Sequence, residues 1–375
     1  MESMESMESI TYDIAPGGDI EIVLNKPNEQ NIIPRYRLGV DTDYTHFQCP
    51  EFKNPPCDGR YAVLSKLYED PRNYKVLIRV SSSHLKFASR TFRVMLEGPW
   101  KEGASSSEPF RQINATGWDA LAFVIVLDAI HGRHLDIPDK PTLGLLTRVA
   151  TVIDYYECHE PLYVYFDRWL NHNPEVGCRM NDILFQKTLL CLYVAWVFSD
   201  NVMFNKMARV IFRHSEGLSA IDTSDVPSGG VLERIDKKRQ HALQNLFQSL
   251  EGVEMALLTE KKCPEGHSSD CLCRTLGGLM RAKFKLVYFN NPLQYPHVQA
   301  PYEGYSIASF LDMIENVEKP RSAPSSCAVE GRMRTIIRNV ETCFVDFTQE
   351  ESTEDYGIPF DSIRVENVDS DSGDD

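Results

Sequence analysis

The stretch Leu121-Ala-Phe-Val-Ile-Val-Leu-Asp-Ala-Ile130 constrains the fold of this chain more than any other. Thr116 can cap a helix running to Ile130, with Asp119 at the third helical position complementing the dipole and Gly132 as the stop. Together with Trp118, the run leaves that helix almost no polar face. Such a helix cannot lie on a surface, so other elements must wrap it.

The neighbouring sequence supplies the wrapping. Asp19–Leu24 alternates polar and apolar residues after Pro16-Gly17-Gly18 and reads as a strand. Tyr74–Val80 is the clearest strand, rich in β-branched and aromatic residues. Ser81–Ser83 offers caps to a helix from Leu85 to Leu96, with Leu85, Ala88, Phe92 and Met95 at helical spacing. A short strand is expected near Phe110–Ile113. Thr142 caps a further helix with the stripe Leu145/Leu146, Val149, Val152/Ile153 and Tyr156, and another short helix spans Glu160–Leu170. The segment 25–73 is rich in Pro, Asn, Asp and Gly and reads as a long insertion, with a short strand at Tyr61–Leu64.

Beyond this core the pattern is helical. Apolar-sided helices are expected at about 181–198 and 201–213, then a linker at 215–230. A long charged helix runs from Val231 to about Lys262, its stripe of Ile235, Ala242, Leu246, Leu250, Val253 and Leu257 interrupted by Arg239. With fewer than four clean heptads it reads as a self-packing amphipathic helix rather than a coiled coil. Helices near 270–283, 305–317 and 328–340 complete the ordered body.

Charge narrows the function classes. The net charge is −15, of which −9 falls from Thr348 onward, leaving −6 for the preceding 347 residues. The body lacks the basic patch that phosphate-backbone binding needs, so direct nucleic-acid binding is disfavoured. The Met-Glu-Ser repeat at residues 1–9 has no basic or apolar signal region, and the longest apolar run, Leu189–Phe198, is about half a bilayer span. An intracellular protein outside the membrane is expected, cytoplasmic or nuclear, whose ten cysteines serve as thiols, metal ligands or core residues. Asn114-Ala115-Thr116 then reads as a coincidental glycosylation pattern.

The stretch from Tyr74 to Gly103 resembles the BTB/POZ signature, in which a strand leads through a small-residue cap into a helix presenting Leu-x-x-x-Ser-x-x-Phe-x-x-Met to the core. Those positions are Leu85, Ser89, Phe92 and Met95 here. Leu121–His131 is similar to the family's buried helix. Leu145–Glu160 is similar to its Leu-x-x-x-Ala-x-x-x-Asp-x-Tyr-x-Cys helix, with Asp154, Tyr156 and Cys158 in place. Gly17–Leu24 resembles the family's first strand. Leu192–Phe212, Ile235–Leu246 and Pro301–Leu311 resemble the helical extension of a group of fungal BTB proteins.

The resemblance implies an α+β BTB/POZ domain at 10–170, after a disordered 1–9. A helical continuation at 171–214, the linker at 215–230, an all-α extension at 231–347 and a disordered acidic tail at 348–375 would follow. It also implies non-catalytic protein–protein interaction: self-association or an adaptor role, with a cullin-based ubiquitin ligase or a transcriptional scaffold as the more specific alternatives. The family's swapped-strand dimers use a segment ahead of the first strand, which here looks too short and polar to contribute. Cullin adaptors of the family use an apolar-x-Glu element at the place of Trp100-Lys101-Glu102, making Trp100 and Glu102 the candidate partner-binding pair; Trp100 packed on its own domain is the bland alternative.

Cys263, His267, Cys271 and Cys273 form the densest metal-like cluster, and Cys327 could replace one of them. The spacing is not that of a zinc finger, and Cys271 and Cys273 cannot share one helical face, so reduced thiols are the favoured reading and no cofactor is expected. Cys158-His159-Glu160 is not a thiol nucleophile with its base, because adjacent helical residues point about 100° apart. No phosphate loop, GxSxG or HExxH occurs, so no enzyme is expected. Asp369–Asp375 sets two serines among carboxylates, a context for acidophilic kinases or simply a solubilising tail.

Overall fold

Apolar residues at every second position of Tyr74–Val80 send Val76, Ile78 and Val80 to one side, and that strand becomes the centre of a sheet. The computed structural model describes residues 8–32, 34–36, 58–69, 74–98, 111–170, 182–227, 230–263, 269–290, 298–317 and 327–342. Among them the strands are β1 (Glu8–Asp13), β2 (Ile20–Asn25), β3 (Arg35–Tyr36), β4 (Tyr74–Val80), β5 (Arg111–Thr116) and β6 (Ile221–Asp222). The helices are α1 (Ser82–Ala88), α2 (Arg90–Glu97), α3 (Ala120–Ile130), α4 (Leu143–Tyr156), α5 (Glu160–Leu170), α6 (Asp182–Val197), α7 (Asn201–His214), α8 (Val231–Thr259), α9 (Ser269–Asn290), α10 (Ile307–Glu315) and α11 (Val329–Thr342).

The fold is mixed α+β. Its main sheet has the order β1-β4-β2-β5, with β2 antiparallel to β4 and the β1–β4 and β2–β5 pairs parallel. The registers Ile10↔Val76, Ile22↔Ile78 and Ile22↔Ile113 align the buried sides of the four strands. Helix α3 lies on that side, every one of its residues buried, and packs also on α4 and α5. Buried apolar residues continue without a break through α6, α7 and α8 into α9–α11.

Several expectations are corrected. Gly17–Leu24 is not the first strand: β1 precedes it and takes in Glu8 and Ser9, within the 1–9 segment expected to be disordered. Its alternation buries Ile10 and Tyr12, which is what a sheet edge over a core requires. Tyr61–Leu64 is not a strand but part of a 3-10 helix, Gly59–Tyr68, which buries Tyr61, Leu64 and Leu67. The strand expected near Phe110–Ile113 is present as β5 and runs on to Thr116, so Thr116 ends a strand and cannot cap a helix. Asp119 is the cap of α3, accepting from the Ala122 amide at 2.9 Å.

Nor is Leu85–Leu96 one helix. Ser89 adopts an extended backbone between α1 and α2, and its Oγ accepts from the Phe92 amide, starting α2 anew. The linker at 215–230 is tied down: β6 pairs with β3, and the Asn31 amide donates to Asp225 at 2.6 Å. The acidic tail lies outside the described residues.

One charged residue interrupts the apolar run of α3, and the structure accounts for it. Tyr12 Oη donates to Asp128 Oδ2 at 3.1 Å, while Arg60 stands 3.8 Å from Oδ1 and 5.2 Å above the Tyr12 ring. The 3-10 helix within the segment 25–73 thus supplies the cation for a carboxylate that burial pushes up. Arg239 has the same logic in the helical half. It is fully buried, its Nε donates to Asp236 at 2.7 Å, and Nη1 and Nη2 donate to the carbonyls of Pro301, Tyr302 and Tyr305. The residue that breaks the apolar stripe of α8 therefore fastens the segment ahead of α10.

Candidate functional site

The motif residues converge on one junction. Ser89 Oγ donates to the Tyr156 carbonyl, joining the α1–α2 corner to the end of α4. Phe92 stacks on Tyr156 with centroids 4.4 Å apart, and Phe123 of α3 meets the same ring at 5.6 Å. Leu85 and Cys158 are buried, and Met95 is half-buried against the core. Asp154 lies beside Tyr193 of α6; burial raises its carboxyl and the phenol partly offsets that. Complete burial also pushes the Cys158 thiol up, so it is not a thiolate nucleophile. These residues hold the corner in place.

Outward, the corner sets three large apolar side chains among exposed polar and charged ones, His84, Arg90, Arg93 and Glu97. Phe87 on α1 is 84% exposed, Val94 on α2 54% and Tyr155 on α4 60%. Thr91 Oγ1 donates to the Tyr155 carbonyl and Arg93 Nε to the Lys86 carbonyl, so the elements carrying the three are stitched together. Val94 follows Thr91 by three positions and shares its side of α2. Trp100 and Glu102 lie outside the described residues. The sequence reading missed Phe87, whose signal was a large aromatic between Lys86 and Ala88, off the stripe that Leu85 begins.

The cysteine cluster assembles differently from its spacing. Cys263, Cys271 and Cys327 come together, buried, with their sulfurs all within 4.8 Å of one another. Cys263 Sγ and Cys327 Sγ are 3.3 Å apart. Cys273 is exposed, as expected for a residue that cannot share a helical face with Cys271, and His267 lies outside the described residues. Burial foremost, together with the neighbouring thiols, pushes Cys327 up to about 12. Arg332 lies close enough to the sulfurs to feel their charge, and its guanidinium forks onto Glu260 at 3.0 and 2.9 Å.

Among the described residues no helix is long and apolar enough to cross a membrane. In comparisons with known protein families and with curated proteins, no family and no protein matches this chain.

Proposed function

We propose that this chain is a non-catalytic protein–protein interaction module of the BTB/POZ type, acting as an adaptor. The observation that carries the reading is the α1–α2 corner, which turns its signature residues Leu85, Ser89 and Phe92 inward and holds Phe87, Val94 and Tyr155 out in water. Exposed aromatic and aliphatic side chains on a rigid corner make a hot spot for a partner. Trp100-Lys101-Glu102 follows α2 closely in sequence and is the adaptor element of this reading. The helical extension would then recruit a second protein.

Self-association is the second reading. Strand exchange would require β1 to leave its six-residue register on β4, which favours the adaptor. The test mixes the purified full chain with the N-terminal domain of a cullin and follows mass by light scattering. The adaptor reading expects a chain of 42.8 kDa that is monomeric alone, forms a complex, and loses it on Phe87→Asp or on Trp100→Ala/Glu102→Ala. A dimer that ignores cullin favours self-association, and a monomer that ignores it contradicts both.

A further inference from the structure

We infer that Cys263, Cys271 and Cys327 form a zinc site that fastens the ends of α8, α9 and α11. Cys263 lies four residues beyond the last residue of α8, Cys271 is the third residue of α9, and Cys327 stands two residues ahead of α11. Three chain segments, the outer two 64 residues apart, thus send one thiol each into the same buried junction.

The geometry fits a thiophilic ion. Zinc–sulfur bonds of about 2.3 Å place the sulfurs of a tetrahedral site about 3.8 Å apart. The observed spacings, 3.3 Å for Cys263–Cys327 and at most 4.8 Å for all three, bracket that value. Side-chain adjustments of well under an ångström to about one ångström would seat the ion. A water or a further donor would complete the tetrahedron.

The charge balance fits as well. Three thiolates around Zn2+ leave one net negative charge. Cys271 sits in the first turn of α9 and Cys327 just before the first turn of α11, where helix N-termini favour anions. Arg332, in the first turn of α11, adds a cation, and its Nε–H is buried with no hydrogen-bond partner among the described residues. Glu260 holds both terminal nitrogens of that guanidinium, so the free donor stays beside the sulfurs. The local spacing of Cys263, His267, Cys271 and Cys273 favoured plain thiols; the fold replaces the exposed Cys273 with Cys327 from far along the chain.

The test is elemental analysis of the full chain, purified without chelators. About one zinc per chain is expected, kept by Cys273→Ser and lost from Cys263→Ser/Cys327→Ser. Should that variant fail to fold, cadmium titration of the chelator-stripped parent replaces it. A thiolate-to-cadmium charge-transfer band should appear at one equivalent, and cadmium should shield Cys263, Cys271 and Cys327, but not Cys273, from alkylation. Absence of zinc from the parent together with absence of that band overturns the inference, as does a Cys263–Cys327 disulfide in the protein as purified.

Discussion

Ser89 shows how much one small side chain can hold. Its hydroxyl accepts from Phe92 and donates to Tyr156, so it caps α2 and ties two helices at once. Ser89→Ala should cost about 1–3 kcal/mol, read as a shift in urea midpoint at unchanged slope. Arg239 should cost more. Its removal by Arg239→Met leaves Asp236 with the Gln240 amide but without its cation, and three carbonyls without their donor in the core, and a loss of about 3–5 kcal/mol is expected. An unchanged midpoint in either variant would contradict these roles.

His131 gives a pH dependence whose sign follows from its contacts. Its Nε2 accepts from the Ser81 amide at 3.0 Å and its Nδ1 faces the Leu127 carbonyl at 2.7 Å, so the neutral ring with hydrogen on Nδ1 fits. Burial lowers its pKa, as it does for His159 and His214. The unfolded chain therefore binds more protons just below the ordinary histidine pKa. Stability from these rings is present above about pH 6.5 and is lost as pH falls toward the lowered folded values, by at most about 1.4 kcal/mol per pH unit per ring. Urea midpoints should fall between pH 7.5 and 5.5, and His131→Leu should flatten part of that slope. A slope unaffected by the substitution would exclude His131 as a contributor.

At the scale of elements, β1 is the piece whose removal should matter most. It covers the outer edge of β4 and buries Ile10 and Tyr12. Deleting residues 1–13 should bare that edge and the Asp128 carboxylate together, giving a protein that aggregates in sedimentation. A monodisperse, equally stable truncation would contradict the pairing.

The elements legible in the sequence are those whose period matches their surroundings. β4 and α5 fall on the expected residues, and α4 begins at the expected cap, Thr142. The misreadings have physical causes. Helical spacing ran through Ser89 because Leu85 before it and Phe92 after it are both buried, and periodicity cannot register a single extended residue between them. The Tyr61–Leu64 apolar residues are as compatible with a 3-10 turn as with a short strand. The β1 strand hid behind an acidic repeat that resembled a tail. Cys271 and Cys263 were legible as neighbours in sequence, whereas Cys327 joins them only through the packing of α11 on α8.

At the scale of the whole molecule, the sheet, the α1–α2 corner and the helical extension share one continuous core. A partner docked at the corner and another on the extension would therefore be held at a fixed separation, which is what an adaptor has to provide. The account rests on that corner being a docking face. Its most direct measurement compares proteins co-purified from cells with the full parent chain and with Phe87→Asp/Val94→Asp, quantified by mass spectrometry after circular dichroism shows both are folded. Both positions are exposed, so the fold should survive while a charge enters an apolar contact. The account predicts a discrete set of partners reduced at least roughly tenfold, equivalent to about 1.4 kcal/mol of binding, in the variant. The same partners in equal amounts from both chains would contradict it.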